Sequence, residues 1–166
     1  MNKKKNKEKE PDDLQSGRLY FMWICGKNFI VHITKNTGKK ISFTKLFKIK
    51  TLVCVKANCL KVADFTSLEV KIQTIKEHCL LRKEEKEQLE EITCQTLGAL
   101  ETKKTAAIKA WDTYRRYSLP ETGPVPLKKM RKLGVLIEKK TAAIKKYDVF
   151  HRAMLQAGLI PEKEKE

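Results

Sequence analysis

The sequence predicts an α+β fold: a small basic antiparallel β-sheet, packed by a helix that continues into a long antiparallel helical hairpin of coiled-coil character. Three observations carry this expectation. Residues 18–63 hold short apolar runs separated by turn residues, the pattern of strands. From Thr66 to Tyr117 there is no proline and a single glycine, Gly98. The chain then repeats itself: Leu97–Tyr117 reads LGALETKKTAAIKAWDTYRRY and Leu133–Ala153 reads LGVLIEKKTAAIKKYDVFHRA, at a constant offset of 36 residues.

Taken in order, residues 1–17 are strongly charged and read as a disordered tail. Lys3-Lys4-Lys5 within it has the composition of a nuclear address. The module at 18–63 opens with Leu19–Cys25 (LYFMWIC), a continuous apolar run suited to a strand buried on both faces. Gly26-Lys27-Asn28 signals a turn. Strands are expected at Phe29–Ile33, Lys40–Phe43, Leu46–Ile49, Leu52–Val55 and Cys59–Val62, giving a four- or five-stranded meander. The loop Lys35–Lys39 contains Asn36 and Gly38, which tolerate the positive φ of a hairpin turn. Locally, Ile33–Phe43 (ITKNTGKKISF) resembles the first hairpin of ubiquitin-like β-grasp domains; the likeness covers that hairpin alone and implies no ubiquitin function.

Residues 64–117 read as a long helix. Thr66-Ser67-Leu68-Glu69 has the form of a capping box, and Leu68, Ile72, Ile75 and Cys79 follow at helical spacing, so this part is expected to lie across the sheet. Arg82–Glu91 is highly charged, as in a helix surrounded by water. Residues 118–126 (SLPETGPVP) stop the helix. A second helix at 127–158 starts beside Pro126 and ends at Gly158, where glycine suits the C-terminal cap. Residues 159–166 form a frayed charged tail.

The repeat dictates how the two helices meet. At 100° per residue, Leu97, Leu100, Ala107, Ile108, Trp111 and Tyr114 share one stripe, and Leu133, Leu136, Ala143, Ile144, Tyr147 and Phe150 share its counterpart. A short proline-rich connection folds the helices antiparallel. With the turn near residue 121 or 122, Leu100 faces Ala143 and Leu136 faces Ala107, large against small in both directions. Lys104 and Lys140 interrupt the stripes at equivalent positions. They read either as snorkelling side chains or as paired cations for an anionic partner. Asp112 and Asp148 precede Arg116 and Arg152 by four residues, the spacing of surface helix pairs.

Charge narrows the class of function. The 166 residues carry 36 Lys and Arg against 20 Asp and Glu, a net +16, and the pI is near 9.7. Between Arg18 and Ala63 stand ten bases and no acid. Unrelieved like charge costs stability, which points to an acidic counter-surface. Lys39, Lys40, Lys45, Lys48, Lys50 and Lys56 are the candidate docking residues. Trp111, Tyr114, Arg115 and Arg116, with Lys104 and Lys140, are candidates for a protein-binding patch on the hairpin. The expectation is a non-catalytic interaction or scaffold protein that docks an acidic protein or a filament such as tubulin. The alternative is a nucleic-acid-binding protein (RNA or DNA). Arg18 is the sole arginine of the basic module, which disfavours base readout.

No enzyme signature emerges, and no cofactor or metal is expected. Cys54 and Cys59 with His78-Cys79 lack the spacing of a zinc site. His32 and His151 have no nucleophile motif around them. Asn36-Thr37-Gly38-Lys39 lacks the upstream glycine of a phosphate loop. Leu119–Gly123 (LPETG) resembles a sortase sorting signal without the hydrophobic span that should follow. The basic, aromatic stretch Ile108–Tyr117 lacks the Gln and spaced Arg of an IQ-type calmodulin motif. Five cysteines, an odd count without a signal peptide, suggest reduced thiols. No run is long enough to span a membrane. The expected location is intracellular, in cytoplasm (including cytoskeleton) or nucleus.

Overall fold

A computed structural model describes residues 14–50, 55–75 and 77–161. The chain is α+β, with a six-stranded antiparallel sheet and two long helices that form a helical hairpin. It divides into two compact units after Leu89. The sheet unit contains β1 (Leu19–Ile24), β2 (Lys27–Asn36), β3 (Lys40–Ile49), β4 (Leu60–Val62), β5 (Ser67–Lys71) and β6 (Glu77–Leu80). The order is β4-β3-β2-β1-β6, and β5 also pairs with β3. The edge of β3 is shared, with β5 along Lys40–Thr44 and β4 along Phe47–Ile49.

The first turn is tighter than Gly26-Lys27-Asn28 suggests. Ile24 pairs directly with Lys27, so Cys25 and Gly26 alone make the connection. Their φ values of 50° and 74° place both in the left-handed region, as a two-residue hairpin of matching twist requires. Lys27 and Asn28 belong to β2. The runs Lys40–Phe43 and Leu46–Ile49 form one ten-residue strand. It is interrupted by a bulge: Ile30 pairs with Phe47 and Val31 with Lys45, leaving Leu46 as the extra residue. A second bulge leaves Thr34 extra on β2.

Apolar residues line both sides of the sheet. One face gathers Tyr20, Met22, Val31, Ile33, Ile41 and Phe43 under Leu14 and Ile72. Leu19, Phe21, Ile30, Phe47 and Ile49 are buried on the other. Burying a side chain of this size contributes about 1.5–3 kcal/mol. Leu14 is 1% exposed, and the Gly17 N–H donates to the Ile33 carbonyl at 2.7 Å. The expected tail over 1–17 is therefore structured at its end; Lys3-Lys4-Lys5 and most of the expected strand Leu52–Val55 lie outside the described residues.

Helix does not begin at Thr66. Residues 67–71 form β5, in which Leu68 and Val70 point into the core cluster and Ser67, Glu69 and Lys71 are exposed. Alternation by two overrides the 68, 72, 75, 79 helical spacing, because β3 offers an open edge. A single 3₁₀ turn at Ile72–Thr74 leads towards β6. Residues expected to lie on the sheet as helix are part of the sheet. α1 spans Lys83–Ser118. Its start is fixed by Glu85, whose carboxylate accepts from the Arg82 N–H at 2.8 Å. That is the reach-back half of a capping box, and Glu84 and Glu85 also suit the positive end of the helix.

In the hairpin unit, α2 spans Leu127–Gln156 and follows Pro126 at the cap position. Its end is a Schellman motif. Leu159 N–H bonds the Met154 carbonyl at 2.9 Å and Gly158 N–H bonds Leu155 at 3.0 Å, with Gly158 at φ 69°. The inner stripe is most deeply buried away from the turn, at Leu100, Phe150, Ala153 and Met154. Thr93, a fully buried polar residue, directs its hydroxyl at the Met154 sulfur, 3.8 Å away. At the turn, Lys129 Nζ donates to the Ser118 carbonyl at 2.6 Å and ties the helix ends together.

Candidate docking surfaces

The bulge at Leu46 determines which lysines share a face of the sheet. In an unbroken strand, positions 45 and 48 point to opposite sides. The extra residue restores parity, so Lys45 sits opposite Val31 and Lys48 opposite Phe29, both on the face of the core cluster. Lys48 is also paired directly with Lys61 on β4. Two cations directly opposite each other on one face repel. Among the described residues, no acid comes within ion-pair distance of Lys48 or Lys61.

Lys45 is settled within the fold. Its ammonium lies 5.2 Å from the Phe29 ring centre and 3.5 Å from Asp64 Oδ1, with the side chain 18% exposed. Asp64 is held below the ordinary carboxylate range, first by hydrogen bonds from Thr66 and then by the Lys45 charge. The remaining candidates scatter. Lys40 follows the opposite parity and bonds Glu69 at 2.9 Å. Lys39 is exposed in the β2–β3 turn, and its carbonyl accepts from Ile72 N–H. Lys50 lies just beyond β3, its N–H bonded to the Cys59 carbonyl, and Lys56 is exposed before the 3₁₀ turn at Ala57–Cys59. Lys61 joins the face through a three-residue strand too short to reveal its partner in the sequence.

The hairpin candidates are brought together in a way that the repeat makes reciprocal. Lys140 lies 3.4 Å from the centre of the Trp111 ring. Lys104 lies 3.6 Å from that of Tyr147. Moving one contact by the 36-residue offset gives the other, with aromatic and cation exchanged between helices. Arg115 approaches the Trp111 ring at 5.4 Å and Lys132 the Tyr114 ring at 5.0 Å. Arg116 bonds Asp112 at 3.0 Å, the expected pair four residues apart. Lys104 and Lys140 thus rest on rings across the hairpin, half-buried. The buried Trp111 indole N–H has no acceptor among the described residues.

Among the described residues, no group of three or more His, Cys, Asp or Glu is placed to hold a metal ion. Among the described residues, Cys25, Cys79 and Cys94 are free thiols. A cleft of about 270 Å³ near the β1–β2 turn is lined mainly by Met22, Ile24, Phe43, Val70 and Ile75. No helix among the described residues is long and apolar enough to cross a membrane. The chain matches no family model, no curated protein and no solved structure.

Proposed function

We propose that this is a non-catalytic binding protein whose sheet unit docks an acidic partner through Lys48 and Lys61. One observation carries the reading: two lysines face each other across β3 and β4 with no neutralising acid among the described residues. An anionic surface laid over that row relieves the repulsion, so binding recovers an energy that the free protein cannot. The partner is an acidic protein or filament, of which tubulin is an example. The aromatic beside these lysines, Phe29, is half-buried and already lies under Lys45, so it offers no platform for stacking bases.

The test is cosedimentation of the full chain with microtubules at low and high salt, against binding to single-stranded RNA and duplex DNA by anisotropy. Pelleting with microtubules that falls with salt, and falls again in Lys48→Glu/Lys61→Glu, is the expected result. Preferential nucleic-acid binding lost in the same variant moves the reading to the nucleic-acid class. Binding that ignores both charge reversals removes the docking face altogether.

A further inference from the structure

The two copies of the repeat agree on the face they turn inward and diverge on the face they turn outward. On α2, Leu127, Met130, Gly134, Ile137 and Thr141 follow at alternating steps of three and four, the spacing of a heptad seam. Leu127, Met130 and Ile137 are 63%, 55% and 43% exposed. Thirty-six residues earlier, at the same azimuth, α1 has Glu91, Cys94, Gly98, Glu101 and Thr105. Those positions are exposed as well, and the large ones are acidic. One scaffold therefore carries a solvent-adapted outer face on α1 and an apolar one on α2. Packing within the hairpin does not account for the difference, because the inner stripe supplies that packing.

We infer that the outer seam of α2 is a docking site for an acidic amphipathic helix of a partner protein. Charge selects this occupant. α2 carries nine Lys and Arg against two acids, Glu138 and Asp148. Lys128 and Arg131 flank the most exposed apolar pair and, among the described residues, neither has an acid within ion-pair distance. A second copy meeting seam to seam would bring the same cationic excess and be repelled, and the corresponding face of α1, with Glu91 and Glu101, offers no apolar stripe to fill the seam; glutamates flanking a partner's apolar stripe would meet opposite charge. Val135 and Val149 are also exposed on α2, outside the seam; the seam itself, at two positions per heptad, matches the width of a single helix. The inference rests on α2 alone and stands without the sheet lysines.

The experiment uses the full chain and a fluorescently labelled designed helix with Leu at the a and d positions and Glu at e and g. Saturable binding is expected, weakened about tenfold or more by Met130→Glu or Ile137→Glu, as for residues central to an interface. Both seam side chains are exposed, so circular dichroism and melting should match the parent chain. No binding, equal binding by the helix with Lys at e and g, or binding indifferent to both seam variants overturns the inference. So does self-association in sedimentation equilibrium that Ile137→Glu abolishes, which gives the seam to a second copy. Flotation with phosphatidylserine–phosphatidylcholine vesicles that Ile137→Glu abolishes gives it to a membrane, and overturns the inference equally.

Discussion

Lys140 on α2 holds its ammonium 3.4 Å from the centre of the Trp111 ring on α1. Lys104 and Tyr147 repeat the contact in the opposite direction. If both are cation–π contacts of partly buried groups, double-mutant cycles with Lys→Met and aromatic→Leu should give coupling of about 0.5–1 kcal/mol in each. Urea denaturation measures it. Coupling near zero in both would mean that the ammonium groups merely lie over the rings.

The Lys48–Lys61 pair yields a prediction of opposite sign for stability and binding. Lys61→Glu replaces a cross-strand repulsion by an attraction, worth roughly 0.2–1 kcal/mol. The denaturation midpoint should rise while affinity for an acidic partner falls. A variant that loses stability would show that the pair is not strained in the free protein.

Gly98 and Gly134 lie inside helices, and a Cβ built on either meets nothing within 4 Å. Gly98→Ala and Gly134→Ala should therefore each stabilise the hairpin by about 0.5–1 kcal/mol through helix propensity alone. Thermal melts of the single and double variants test this. A decrease in melting temperature would reveal crowding that the backbone geometry does not.

Acid should weaken the sheet through His32. Burial lowers the pKa of this half-buried imidazole on β2 below its ordinary value. The unfolded chain takes up the proton first, so stability declines as pH falls through the ordinary histidine range. The decline continues until the folded-state pKa is passed. One proton limits the slope to about 1.4 kcal/mol per pH unit. His32→Gln should flatten that part of a midpoint-versus-pH curve; an unchanged slope would assign it to another group.

The hairpin was legible because its signals are local and redundant. Pro126, Gly158 and the duplicated stripes each specify the same helices, and the Schellman bonds at Met154 and Leu155 follow from the glycine. The first hairpins of the sheet were legible for the same reason. Residues 66–80 were not. Thr66-Ser67-Leu68-Glu69 satisfies a helix start in isolation, and only the open edge of β3, distant in sequence, turns Leu68 and Val70 into a strand. The real start signal, Glu85 reaching back to Arg82, was hidden in a run of charge.

The candidate site was legible as composition and illegible as geometry. A segment of ten bases without an acid announces a basic surface. Which lysines act together depends on Leu46, and nothing in its identity marks it as the residue that the ladder skips. Lys40 drops out because Glu69 reaches it from β5, an element the sequence suggested was helix. On the hairpin, the aromatics and lysines drew attention as binding groups, whereas much of their capacity is spent on one another. The apolar seam of α2 stands out only when it is compared with its counterpart on α1.

The reciprocal contact of Lys104 with Tyr147 and of Lys140 with Trp111 has a consequence for assembly. An interface that reads identically from either side is one that two detached, identical helices can form as a dimer. Joining the copies in tandem makes that encounter unimolecular, at an effective concentration on the order of millimolar for a short tether. Closure of the hairpin is then independent of how dilute the protein is, and a fragment holding one copy regains the dependence by pairing with itself.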